Sequence, residues 1–263
     1  MKTHSMISKV TFSILILTGL VISSCTYINR QNGSGKVIRV EHPAKGFNKV
    51  EISLVFDAVI IPGNDEKVVV ETDDNLQQYV LVSNSDSTLN VRMKENVNIG
   101  SHSAGTVYIY TKGITSINNS SVGKLTNDGA LTADTFNFSN SSVGNNDLKI
   151  KAKKIIINNS SVGKTNLFLD CNMLAFTNSA VGKTLLTGNC DDAHIDNSGV
   201  GSFDAQNFTT QVLHIVNSAV GSTDVNASKE IYIDNSGVGR LDVYGACVIK
   251  KLDDNGVSKT HKH

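Results

Sequence analysis

Cys171 and Cys190 stand 19 residues apart, and Cys247 follows at the same place in a later repeat of the chain. If those residues stack as neighbours, Cys171 and Cys190 are either a disulfide or two adjacent buried thiols. In-register parallel neighbours are an awkward setting for the bridge. No Cys-x-x-Cys is present, so a thiolate zinc site is not expected. His194 and His214 recur at equivalent places and Tyr232 extends the series, as a ligand stripe or simply as exposed rings. Asp204, Asp224 and Asp242 recur in the same way. Three stacked carboxylates could share a cation, although a solvated face serves equally. The Gly-Gly-x-Gly-x-Asp wording of calcium-binding β-rolls is missing. Phe168, Phe208 and Tyr244 are expected to point outward, where rings can stack on sugars. There is no Gly-x-Ser-x-Gly, phosphate loop or His-Glu-x-x-His. No cluster of acids converges as glycoside cleavage requires.

These residues sit in a chain of 263 residues with 24 basic and 24 acidic side chains, so the formal charge is zero. A nucleic-acid partner is not expected, because phosphate binding rests on excess basic charge. The 28 Asn and 28 Ser show that small neutral side chains carry the polarity. Hydrophobic residues at 40% exclude a disordered chain, and four cysteines exclude a disulfide-dense scaffold.

The element that positions the candidates is a repeat. Asn-Ser-(Ser/Ala/Gly)-Val-Gly occurs seven times, from Asn119, Asn140, Asn159, Asn178, Asn197, Asn217 and Asn235. A degraded copy, Asp254-Asn255-Gly256-Val257-Ser258, follows. Starts are 18 to 21 residues apart, most often 19, which suits one coil of a β-solenoid. Counting from each Asn, positions 9, 11 and 13 alternate inward, as in Leu167, Leu169 and Cys171. Positions 16 and 18 form a second inward pair, as in Leu174 and Phe176. The pentapeptide is the corner between them. Its glycines (Gly123, Gly144, Gly163, Gly182, Gly201, Gly221, Gly239) supply a positive φ or a close approach. Its valines (Val122, Val143, Val162, Val181, Val200, Val220, Val238) are expected to stack inward, and its asparagines to form an amide ladder. Eight corners at about 4.8 Å per coil would span roughly 34 Å.

Residues 37–112 are a strand-rich opening of short β-branched runs such as Val68-Val69-Val70, with a short helical turn near Asp73–Gln78. Together with the coils of 113–258 they make one all-β domain, a right-handed parallel β-helix or β-solenoid-like stack. Residues 259–263 are a polar tail that, with the degraded copy, reads as a cap against self-assembly at the strand edges. Residues 1–24 have the layout of a signal peptide: Lys2 and Lys9, an apolar run from Val10 to Ile22, then Ile22-Ser23-Ser24-Cys25. The last four resemble a bacterial lipobox, making Cys25 the lipidation site. An ordinary secretory signal and an uncleaved anchor are the alternatives. Thr26 in place of Asp leans towards the outer membrane, with periplasmic or surface facing left open. Residues 25–36 read as a tether, flexible around Asn32-Gly33-Ser34-Gly35.

Over about residues 37–258 the chain resembles a bacterial family, the putative autotransporter adhesin head GIN domain. The resemblance is carried by Phe47 with the strand pair after it, by Asp73-Asp74-Asn75-Leu76, and by the small-residue corners. Members commonly have a Ser-Gly-Ser-like corner where this chain has Asn-Ser-Ser-Val-Gly, so layout matches more than wording. The resemblance implies a β-solenoid-like domain, often on a lipoprotein, and transfers no catalytic residue. The function expected is a lipid-anchored envelope protein displaying a non-catalytic surface to a glycan or protein, without cofactor or metal. A carbohydrate-active enzyme on the same scaffold and a self-assembling scaffold are the alternatives.

Overall fold

The computed structural model describes residues 29–257 and 259–263. Cys25, the signal segment and the first part of the tether lie outside the described residues. The opening holds β1 (Asn29–Gln31), β2 (Val37–Pro43), β3 (Lys49–Ser53), β4 (Asp57–Pro62) and β5 (Lys67–Asp73). It continues with β6 (Val80–Ser85), β7 (Thr88–Met93), β8 (Val97–Ile99) and β9 (Gly105–Thr111). A short 3-10 turn, Gln77–Tyr79, overlaps the end of the stretch expected to turn. The repeat begins with β10 (Ser116–Asn119), β11 (Leu125–Asn127) and β12 (Leu131–Asn140). Then come the long strands β13 (Asn146–Asn159), β14 (Val162–Asn178), β15 (Val181–Asn197), β16 (Val200–Asn217) and β17 (Val220–Asn235). The last are β18 (Val238–Tyr244), β19 (Val248–Asp254) and β20 (Lys259–Lys262).

The nineteen-residue period is one turn of a β-solenoid of about eight turns. β14 and β15 pair in parallel from Val162–Val181 to Asn178–Asn197, so every residue lies over the one 19 places later. The 20-residue spacing from Asn197 to Asn217 is taken up by a bulge between Asp204 and Asn207. The inward positions pack as one column of apolar residues: Leu148, Leu167, Ile155, Leu174, Phe176 and Ile195 are each at most 2% exposed. No coil could bury that side by itself; stacking does so.

The opening is built into the same stack, out of sequence order. β3 pairs in parallel with both β7 and β10, and β4 with both β9 and β11. The chain thus lays down β3–β4, goes behind them for β7 and β9, and returns in front with β10 and β11. Antiparallel pairs β2–β5, β5–β9 and β6–β7 cover that end. Cross-strand ion pairs Arg39–Glu71 and Lys67–Glu41, each 2.9 Å, face the solvent there.

The corner differs from expectation in one respect. The valines point out, not in: all seven are between 49% and 61% exposed. The third residue points in instead: Ser121, Ser142, Ser161, Ala180 and Ala219 are buried, as are Gly199 and Gly237. Alternation continues through the bend, so burying Asn at position 1 sends position 3 in and position 4 out. Position 3 must be small, since a Cβ on Gly199 would stand 2.7 Å from the Ala180 carbonyl oxygen. The later corner glycines, Gly163, Gly182, Gly201, Gly221 and Gly239, have positive φ, whereas Gly123 and Gly144 answer to close approach alone. Gly201 has φ of 127°, and a Cβ there would run into the carbonyl oxygen of Gly182.

Both ends of the domain are more ordered than the sequence suggested. Residues 29–31 form β1, paired with β8. The buried Asp73 carboxylate accepts the Gly35 N–H at 2.6 Å and the Ser103 N–H at 2.8 Å. Those bonds hold its pKa below the usual carboxylate range. Asp74 accepts the Ser34 hydroxyl and Asn75 the Ser34 N–H. The segment Asn32–Lys36 is therefore fastened to the domain by Asp73-Asp74-Asn75. At the other end, residues 259–262 are a strand, β20, paired with β18.

Candidate functional site

Inside the corner, the asparagine side chains form a directional ladder. Each Nδ2 donates to the Oδ1 of the next coil: Asn140 to Asn159, Asn159 to Asn178, and Asn217 to Asn235 at 2.9 Å. Asn178 to Asn197 is 2.8 Å, Asn197 to Asn217 is 3.1 Å, and Asn119 to Asn140 is the longest at 3.4 Å. The last donor, Asn235, reaches Asp254 at 2.8 Å. A carboxylate accepts only, so Asp254 ends a ladder whose members all donate the same way. The spare hydrogen of several amides goes to a hydroxyl one coil on, as from Asn159 to Thr184 and from Asn197 to Thr223. These bonds lie in the buried interior, so the ladder fixes register and offers nothing to a ligand.

The outer face carries the candidate binding groups as columns. His194 and His214 stack at 4.3 Å between ring centroids, 10° from parallel. Tyr232 continues the stack at 4.4 Å and 4°. Strict register makes this pile: His194 pairs with His214, and His214 with Tyr232. The next place in the column holds Ala175, over which the His194 ring is open to solvent. Tyr244 stacks separately on His263 at 4.8 Å. Phe168 is exposed, but Phe208 is buried, contrary to the outward placement expected for it. The bulge at Asp204–Asn207 shifts the phase by one residue, and Phe208 turns in to lie beside Gly188, where the core has no side chain.

Asp204, Asp224 and Asp242 are stacked neighbours, and the chain supplies their counter-charges. Lys183 lies 3.3 Å from Asp204, and Arg240 lies 3.3 Å from Asp224 and 2.7 Å from Asp242. His263 approaches Asp242 at 3.1 Å. Burial pushes the Asp224 carboxyl above its ordinary range; Arg240 opposes this, and the carboxylates of Asp242 and Asp204 add to it. Among the described residues no group of three or more His, Cys, Asp or Glu is placed to hold a metal ion.

Cys171 and Cys190 are buried, unbridged neighbours with sulfurs 3.2 Å apart. Cys190 is also in contact with the Asp192 carbonyl oxygen at 3.2 Å. The hydrogen bond that Cys171 donates, together with burial, holds its thiol well above the usual range. The same bond, received, pulls the Cys190 thiol down. Cys247 is buried apart from them.

Fold and surface define an all-β solenoid that presents in-register columns of polar and aromatic side chains. Residues 46–247 match the family model described as "Putative auto-transporter adhesin, head GIN domain", and the chain belongs to that family. Solved structures share the fold. A putative adhesin from Parabacteroides distasonis superposes with a TM-score of 0.74 at 18% identity, over 89% of this chain and 99% of that one. One from Bacteroides fragilis gives 0.69 at 21% identity, over 89% and 100%. A protein of Parabacteroides distasonis described as a putative lipid binding protein gives 0.72 at 17%, over 89% and 100%. No functionally curated protein matches. Among the described residues no helix is long and apolar enough to cross a membrane.

Proposed function

We propose that the chain is a lipid-anchored protein of the bacterial cell envelope, held through Cys25, whose solenoid is a non-catalytic binding surface for a glycan or protein. The observation that carries this is the stack His194–His214–Tyr232, exposed at His194 and half-buried at the other two rings. Flat rings held parallel on a rigid ladder make an edge that sugar rings or aromatic side chains can extend, and ordering it costs little on binding. Display suits the surface better than catalysis. Its side chains arrive as periodic columns, and its nearest approach to an acid cluster, Asp204–Asp224–Asp242, is already engaged by Lys183 and Arg240. The lipobox wording of Ile22-Ser23-Ser24-Cys25 and the family's adhesin description support an envelope setting. A glycan array, probed with the parent and with His194→Ala/Tyr232→Ala, tests the binding surface. Binding that the double variant loses supports it; ligands bound equally by both place the site elsewhere. Cys25→Ala should release the protein from membranes, and a variant that still sediments with membranes removes the anchor.

A further inference from the structure

We infer that the exposed valine column is the contact through which two copies of this chain pair side by side, antiparallel, as a two-fold dimer. Val122, Val143, Val162, Val181, Val200, Val220 and Val238 are stacked one per coil, each about half exposed. Their backbone is fixed: Val162, Val181 and Val200 each donate the main-chain N–H to the third corner residue of the preceding coil at 2.9 Å. The ridge therefore keeps one valine per coil, and at about 4.8 Å per coil it runs for about 29 Å. Its exposed valine surface is on the order of 500 Å², as large as the largest apolar patch of an ordinary monomer. With the flanking serine and charged columns it approaches the roughly 800 Å² per partner of a stable interface.

The ridge's period picks the occupant. A second copy repeats an apolar knob at the same spacing over the same length, so valines of one column fit the gaps of the other throughout, as in a dry zipper between sheets. Charge picks the direction. Beside the N-terminal half of the ridge stand Lys124, Lys164 and Lys183, with two acids, Asp57 and Asp147. Lys124 and Lys164 form no ion pair within the described residues. Beside the C-terminal half stand Asp204, Asp224 and the buried Asp242, three carboxylates against the two cations of that half, Arg240 and Lys259, with Asp204 also reaching back to Lys183. A two-fold axis across the ridge sets each lysine half against the other copy's acidic half. A parallel pair would forgo that match. The interface is isologous, closes on itself and leaves the His194–His214–Tyr232 stack on a different column.

Val181 is the middle of the seven, so antiparallel pairing brings the two copies of Val181 side by side and sets Val122 against Val238 of the other copy. The test uses the purified full-length chain in mild detergent, with the unsubstituted chain as control. Under mild oxidation Val181→Cys should give a covalent dimer in high yield, and Val122→Cys should not. Mixing Val122→Cys with Val238→Cys should give the mixed dimer. In sedimentation, Val181→Lys should weaken association at least tenfold. The site is exposed, so these variants fold, which circular dichroism verifies. A parent that stays monomeric at tens of micromolar, or a Val181→Cys that does not cross-link, overturns the proposal. So does efficient self-linking of Val122→Cys, which would mark a parallel pair.

Discussion

Removing one rung of the buried amide ladder should cost far more than removing its exposed neighbour. Asn159 is 2% exposed, and its side chain meets four groups. It accepts from Asn140 at 2.9 Å and from the Ser161 hydroxyl at 2.8 Å, and donates to Asn178 at 2.9 Å and Thr184 at 3.3 Å. In Asn159→Ala, the amide nitrogen of Asn140 keeps only its long contact to Thr165 at 3.4 Å, and the amide oxygen of Asn178 keeps the Thr184 hydroxyl at 3.3 Å. Two strong partners in the dry interior are left half-satisfied, at about 1–3 kcal/mol each, and a small void adds to this. The expected loss is about 3–5 kcal/mol. Asn158→Ala, on the exposed side of the same strand, should stay within about 0.5 kcal/mol of the parent. Urea unfolding followed by far-UV circular dichroism gives the shift in midpoint. Amide exchange in β13–β15 reads the local free energy where repeats open segment by segment. If Asn159→Ala and Asn158→Ala were equally mild, the ladder would not be a source of stability and the inward placement of Asn would be wrong.

Gly201→Ala combines a left-handed φ with a collision on the Gly182 carbonyl, so about 2–4 kcal/mol should be lost, visible as a lower unfolding midpoint. Ile157→Ala empties a core position that is 1% exposed and should cost about 2–5 kcal/mol, whereas Val162→Ala, 49% exposed, should cost under about 1 kcal/mol in the same assay. The Arg39 hydrogen bond lowers the Glu71 pKa below its unfolded value, so its stabilising contribution is present above the ordinary carboxylate range and disappears as pH falls through the lowered value. Asp224 has the opposite sign. Its raised folded pKa costs stability once pH exceeds that value, so Asp224→Asn should raise the unfolding midpoint at neutral pH and lose that advantage in acid. Midpoints of parent, Glu71→Gln and Asp224→Asn measured across the acid range check both; an unchanged pH profile in either variant contradicts its assignment.

Much of the fold was legible because the repeat is written in the chain twice over, in the wording of the corner and in its spacing. The inward alternation of Leu167, Leu169 and Cys171 followed from strand period alone. What misled was phase. Nothing in Asn-Ser-Ser-Val-Gly says which residue turns inward, and hydrophobicity nominated Val while the buried amides placed it outside. Phe208 failed for a related reason, since a one-residue bulge inverts every side chain after it until register is restored. The role of Asp254 was in plain view as the one Asn-to-Asp change in the ladder, but its meaning depends on the direction of donation, which only geometry gives. The ring stack was readable as a column because register is strict, and its near-parallel rings follow from that. The fastening of residues 32–36 by Asp73-Asp74-Asn75 was not legible, since those contacts join segments about 40 residues apart.

The central claim is that each corner lies directly above the last. Pulsed electron-spin distance measurements test it most directly, with one nitroxide at position 122 and the second at 200, 220 or 238, in chain diluted with unlabelled protein to silence contacts between copies. The account predicts distances that rise linearly by about 4.8 Å per coil, from about 19 Å to about 29 Å, apart from the constant reach of the label. Distances that scatter, or that fail to grow with coil number, would contradict it.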